Sequence, residues 1–125
     1  MYVLVRNDLP LADQLVQVGH ACLEAGSRFQ PAPCSSNLIA LRVDGEVPLL
    51  ASVEKIEAAG IRCIIFHEPD HGMGYTAACS EPVSGSQRRV FRTFPLWTPS
   101  DIIQAARPPH KLIKFASCFF SPSIL

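Results

Sequence analysis

The chain has 125 residues, the length of one domain, and its 48% hydrophobic and 18% charged residues are typical of a globular protein. Its formal net charge is zero, so it lacks the basic excess that nucleic-acid-binding domains usually carry. The five cysteines form no Cys-x-x-Cys pair, so neither a zinc site nor a redox motif is predicted. No segment has the pattern of a signal peptide or of a membrane span. We therefore expect a cytoplasmic protein with reduced cysteines and no membrane contact.

Strand and helix signals alternate along most of the chain. The apolar run Met1–Arg6 is typical of a buried strand, and a helix is predicted from Pro10 to Gly26 with Asp8 as a candidate N-cap. The later predicted elements are a strand at Leu38–Val43, a helix at Pro48–Ala59, a strand at Ile61–Phe66, a short strand at Thr76–Ser80 and a short helix at Ser84–Phe94. This order predicts an α/β fold, a small mixed four-stranded sheet flanked by helices.

The first helix carries two kinds of side chain on opposite faces. At about 100° per residue, one face is apolar and should pack on the core. The apolar stripe contains Leu11, Leu15, Val18, Cys22, Ala25 and Phe29, and is widened by Ala12, Val16, Gly19 and Leu23. The opposite wall contains Asp13, Gln17, His20 and Glu24. Two interpretations of this wall stay open, a solvated helix face and one side of a functional site.

The loop His67–Tyr75, between the third and fourth predicted strands, is rich in ionisable residues and glycine. Two glycines within three residues allow positive φ angles or the close approach of a ligand. An ordinary polar connection would have a similar composition. Because loops at strand ends often carry function, this loop is the best candidate for the second half of a site.

Two other kinds of site are less well supported by the sequence. His67 and His71 are four residues apart, but Pro69 between them opposes the helix that would place both on one face, so no metal is predicted. A nucleophilic pair of Cys79 with His20 or His71 has no local motif in its favour, and a cysteine in a strand is usually a core residue. No phosphate-binding glycine loop is present, and we predict no cofactor.

The composition changes after Trp97. The segment 98–125 contains four prolines and a phenylalanine-rich end, and no motif. We predict a domain at residues 1–97 and a C-terminal tail at 98–125 that is either partly disordered or docked through its aromatic residues, and that is dispensable for folding.

Three sequence pieces, in order, match motifs of one enzyme family. Val5-Arg6-Asn7-Asp8-Leu9 matches Arg-x-Asp-Leu, and Gln17-Val18-Gly19-His20-Ala21 matches Gln-x-x-His-Ala. Asp70-His71-Gly72, followed by Thr76-Ala77, is similar to Asp-x-Gly-x-Thr. Over residues 1 to 97 the chain resembles the type II peptidyl-tRNA hydrolase family, the archaeal and eukaryotic type.

The resemblance implies a fold, a reaction and a site. The fold would be that of the family, and the reaction would be hydrolysis of the ester bond of peptidyl-tRNA, which releases peptide and free tRNA. His20 and Asp70 would form the acid/base pair, and Gln17 and Thr76 would be polar positioning groups in the substrate site. Gly72 would allow the close approach of the substrate, peptidyl-tRNA.

One departure from the family keeps alternatives open. The family has a lysine four residues before the motif glutamine, and this chain has Asp13 there. A carboxylate in the substrate site would repel the phosphates of a tRNA, so a binding module that has lost activity is one alternative. A small ferredoxin-like regulatory domain is another. The sequence does not determine the oligomeric state, and a homodimer is one of the open possibilities.

Overall fold

A computed structural model describes residues 1–30 and 37–99 of the chain. The predicted tail lies outside the described residues from position 100 onward. The described elements are β1 (Tyr2–Arg6), α1 (Leu11–Arg28), β2 (Ile39–Val43), α2 (Glu46–Ala58), β3 (Cys63–Glu68), a 3₁₀ turn (Asp70–Gly72), β4 (Gly74–Ser80) and a 3₁₀ helix (Gly85–Thr93).

The four strands form one mixed sheet with the order β2-β1-β4-β3. β1 is parallel to β2 and antiparallel to β4, and β3 is antiparallel to β4. β1 lies inside the sheet because its apolar run can be buried on both faces, and Val3, Leu4 and Val5 are fully buried. The predicted small α/β fold with a mixed four-stranded sheet is confirmed. Its β-α-β-α-β-β order differs from the β-α-β-β-α-β order of ferredoxin-like domains.

Each face of the sheet has its own core. The face covered by α2 and the 3₁₀ helix buries large side chains: Tyr2, Leu4, Leu41, Val43, Leu49, Val53, Ile56, Ile61 and Phe91, together with Ala78. The face covered by α1 buries smaller ones: Val3, Val5, Ala21, Ala25, Ile64, Ala77 and Cys79. The alanines let α1 lie close to the sheet.

The chain after the 3₁₀ helix returns to the edge of the sheet. The Arg42 amide donates to the Pro95 carbonyl at 3.0 Å, and the Trp97 amide donates to the Ala40 carbonyl at 2.9 Å. The indole N–H of Trp97 also donates to the Gln14 side chain on α1 at 2.7 Å. These bonds cover the edge of β2 and tie residues 95–97 to the domain. Within the two described ranges, no helix is long and apolar enough to cross a membrane.

Several predicted details at the ends of elements are wrong, among them the N-cap of α1 and the bounds of β3. α1 begins after Pro10 without a side-chain cap, because the Asp8 carboxylate binds the Arg6 guanidinium instead, with N–O distances of 2.9 and 2.8 Å. A guanidinium that meets a carboxylate through two nitrogens outcompetes a helix amide. β3 begins at Cys63 and extends to Glu68, two residues later than predicted at each end.

The predicted faces of α1 are also partly wrong. Leu15, placed in the core stripe, is 60% exposed, and Gln17, placed on the polar wall, is 3% exposed. Gln14 is fully buried as well, and its amide donates to the Leu9 carbonyl at 2.7 Å. Because hydrogen bonds satisfy both glutamines, the helix can turn them inward. The helix is therefore rotated about its axis from the orientation that hydrophobicity alone predicts.

Candidate functional site

A β-bulge in β4 aims Thr76 at the α1 side of the sheet. Phe66 pairs with Ala77, and the next residue of β3, His67, pairs with Tyr75, so Thr76 is the extra residue on β4. A bulge breaks the alternation of a strand and re-aims one side chain. Thr76 therefore lies under α1, where it is fully buried.

The Gln17 amide joins Thr76 to a carboxylate that the sequence analysis did not single out. The Thr76 hydroxyl donates to Gln17 Oε1 at 2.6 Å, and Gln17 Nε2 donates to Glu68 Oε2 at 3.0 Å. The two bonds fix the orientation of the amide, because its oxygen accepts and its nitrogen donates. A chain of polar groups thus runs from the buried bulge to the partly exposed end of β3.

Glu68 is the centre of this network. The second carboxylate oxygen, Oε1, accepts the backbone N–H of Asp70 at 3.2 Å. The pKa of the Glu68 carboxyl lies below its ordinary value, first because the Gln17 amide donates to it and then because of the Asp70 N–H. His20 and His71 also lie near enough to favour the charged carboxylate. Glu68 is therefore an anion to which α1 and the following loop both point.

His20 lies on the exposed flank of α1 beside this anion. Its ring stacks on Phe66 of β3, with the centroids 4.6 Å apart and the planes 9° from parallel. Stacking leaves the ring nitrogens at the edge, where they can exchange protons with water or a ligand. The contact fixes the imidazole while the side chain as a whole stays accessible.

Asp70 begins a tight turn at the same end of the sheet. Its side chain is exposed, and its carbonyl accepts the Met73 amide at 3.2 Å. His71 has a φ of 55° and Gly72 a φ of 65°, both in the left-handed region. That region is uncommon for a residue with a side chain, so the turn holds His71 in a less favourable conformation. Through Glu68, the turn and His20 belong to one polar cluster.

Arg6 holds the far side of the turn. Its Nη1 donates to the Met73 carbonyl at 2.6 Å and to the Tyr75 carbonyl at 3.1 Å, while its other nitrogens bind Asp8. The Tyr75 amide donates to Glu46 on α2 at 3.1 Å. The Arg-x-Asp-Leu motif at the end of β1 therefore fixes the loop. Its Arg6 binds the loop carbonyls, and its Asp8 is the counter-ion of Arg6.

Asp13 and Gly72 lie at the margins of this arrangement. Asp13 is partly exposed on α1, seven residues before His20, which is about two helical turns or 10 Å along the axis. Gly72 is exposed, and a methyl group added to it would meet nothing within 4 Å, so there is open space above the turn. The structure thus gathers His20, Gln17, Thr76 and the Asp70 turn around Glu68, with Asp13 further along the same helix.

Sequence analysis missed the role of Glu68 for one reason. It ended β3 at Phe66, which left Glu68 as one ionisable residue among several in a loop. Continuing the alternation of buried Ile64 and partly buried Phe66 by one step would have placed Glu68 on the α1 face.

Cys79 is not suited to a nucleophilic pair with His20 or His71. Cys79 is fully buried, and its thiol donates to the Ser80 carbonyl at 3.6 Å. Contact with the Cys22 thiol and burial raise the pKa of Cys79 well above its ordinary value, so no thiolate forms there at neutral pH. Among residues 1–30 and 37–99, no group of three or more histidine, cysteine, aspartate or glutamate residues is arranged to hold a metal ion.

Neither a scan against protein-family models nor a search of curated proteins yields a match to the chain.

Proposed function

We propose that the chain hydrolyses the ester bond of peptidyl-tRNA, releasing peptide and free tRNA, on a small domain of the type II peptidyl-tRNA hydrolase kind. The observation that carries the proposal is the convergence at Glu68. Gln17 and His20 come from one matching motif, and Asp70 and Thr76 come from another more than 50 residues away. Separate motifs that meet at one carboxylate are expected of a site and not of two unrelated surfaces.

The proposed reaction uses His20 as a proton carrier. The neutral imidazole accepts a proton from water, and the hydroxide attacks the ester carbonyl carbon. When the tetrahedral intermediate collapses, the bond from that carbon to the ribose oxygen breaks. The imidazolium then returns its proton to the ribose oxygen. The Glu68 carboxylate stabilises the imidazolium between these steps, and the exposed Asp70 carboxylate accepts a hydrogen bond from the attacking water.

Gln17 and Thr76 act indirectly in this proposal. Both are buried, so they are positioning residues that hold Glu68 and not groups that touch the ester. Gly72, which has open space above it, gives the substrate room to approach the turn.

Release of peptide from a peptidyl-tRNA by the purified full-length chain tests the proposal. We expect turnover, and we expect His20→Ala to reduce it by about 10²- to 10⁴-fold, the usual contribution of general acid–base catalysis. Glu24→Gln is the matched control, because Glu24 lies one turn further along α1 and its carboxylate pairs with Arg28 at 3.6 Å; its turnover should equal the parent's. Equal losses in both variants, or none in His20→Ala, would contradict the assignment.

Asp13 should limit the rate. A tRNA phosphate meets a carboxylate where the family presents a lysine, and two unit charges 4 Å apart interact by about 4 kcal/mol at an effective dielectric of 20. Salt and solvent reduce this value. Asp13→Lys should raise the rate by about tenfold, which is about 1.4 kcal/mol in the barrier. If the parent and the folded Asp13→Lys protein both bind peptidyl-tRNA without releasing peptide, the chain is a binding module and the hydrolase proposal fails.

A further inference from the structure

The outward face of α1 is apolar. Leu15 is 60% exposed, Val16 53% and Leu23 74%. Ala12, Gly19 and Gly26 lie between them on the same face and are also exposed. We call these six residues the α1 stripe. It contains no charged side chain over an arc of about 100° and runs most of the helix, which is about 27 Å long.

This distribution differs from that in an ordinary surface helix. Such a helix buries its apolar residues and turns its charged residues to water. Here two glutamines and two alanines face the sheet, while Leu15, Val16 and Leu23 face outward. A contiguous exposed apolar patch marks an interaction site on most soluble proteins. The stripe also contains two glycines with nothing within 4 Å of an added Cβ, so another backbone could approach closely.

We propose that the α1 stripe is the contact between two copies of this chain, with the two α1 helices antiparallel and crossing near Gly19. The pattern is self-complementary about that residue. A two-fold axis there places Ala12 opposite Gly26 of the second copy, and Leu23 opposite Leu15 and Val16 of the second copy. Small residues meet small ones and large residues meet large ones, as an isologous contact requires.

The helix dipoles favour the same arrangement, because they point in opposite directions in an antiparallel pair.

Sedimentation equilibrium of the full-length chain over a range of concentrations tests the contact. We expect a mass of twice 13.7 kDa at about 100 μM, falling toward 13.7 kDa on dilution. Leu23→Glu should leave a folded monomer at every concentration, because Leu23 makes little contact within its own chain. Val47→Glu, on α2, is the matched control, since Val47 is 77% exposed and lies outside the stripe; it should dimerise like the parent.

Disulfide trapping tests the direction of the helices. Leu15→Cys and Leu23→Cys chains are mixed, oxidised and digested, and the linked peptides are identified by mass spectrometry. The antiparallel contact predicts linkage of position 15 in one chain to position 23 in the other. A parent that is monomeric at all concentrations, a Leu23→Glu protein that still dimerises, or linkage only between equal positions would overturn the proposal. If the parent is monomeric and Leu23→Glu exposes residues 100–125 to protease, those residues and not a second copy contact the stripe.

Discussion

The two faces of the sheet are packed with different kinds of side chain. On the α2 face, Leu4, Leu49 and Ile56 form a core of large aliphatic side chains. On the α1 face, Ala21 and Ala25 bring the helix close to the sheet. The buried polar residues Gln17 and Thr76 also lie on this face. Burial of large apolar side chains supplies most of the free energy of folding. The α2 face therefore contributes most to the stability of the domain. The α1 face buries less apolar area and contains a polar network near the surface.

The largest expected effect comes from the α2 face. Leu49→Ala removes a fully buried side chain and should lower the free energy of unfolding by about 2–5 kcal/mol. Val47→Ala on the same helix, where the side chain is 77% exposed, should change it by less than about 0.5 kcal/mol. Urea unfolding of both proteins measures the difference. Similar losses in the two proteins would mean that the α2 face does not carry the core.

A smaller effect should distinguish the polar groups of the two faces. Thr76→Val removes the donor to Gln17 Oε1 and leaves a buried oxygen without a partner, which should cost about 1–3 kcal/mol. On the α2 face, Ser52 donates to the Pro48 carbonyl at 2.6 Å, and Ser52→Ala should cost less, about 1 kcal/mol. Thermal unfolding compares the two variants. A Thr76→Val protein as stable as the parent would show that the network on the α1 face is not structurally important.

The smallest effect is a change in pH dependence. Because the folded state holds the pKa of Glu68 below its ordinary value, the stability it contributes is fully present above the unfolded pKa and is lost as pH falls through the folded pKa. Glu68→Gln removes this contribution, so its unfolding temperature should fall less steeply with acid than the parent's, below about pH 4.5. Glu54→Gln, exposed on α2, is the control and should follow the parent. A constant difference between Glu68→Gln and the parent from pH 7 to pH 3 would show that the carboxylate has no favourable partners in the folded state.

Much of the fold could be predicted because its local signals are strong. The apolar run of β1, and the prolines and glycines that interrupt the apolar segments, predicted each strand and helix of the described chain to within a few residues of its observed bounds. Ser84, the first residue of the predicted last helix, forms a capping box with Gln87, although the helix is of the 3₁₀ type. These features depend on neighbours in sequence, which periodicity and capping rules can detect.

The candidate site was predictable only in part. The motifs named four residues of the site, Gln17, His20, Asp70 and Thr76. They did not predict how these side chains are arranged relative to one another. The burial of Gln17 was not predictable, since a side-chain amide on a helix is usually exposed unless a buried group can form a hydrogen bond with it. That partner, Thr76, exists only because a bulge shifts the register of β4 against β3.

The sequence by itself determined the elements, their order and the α/β class, because these depend on hydrophobic periodicity and local turn chemistry. The tertiary structure decided which face of α1 is buried, and with it the whole arrangement around Glu68. A helix turns toward the sheet the polar side chains that find hydrogen-bond partners there. For Gln17 those partners, Glu68 and Thr76, lie about 50 or more residues away along the chain. For α1 the satisfied face includes two glutamines, so Leu15, Val16 and Leu23 point outward.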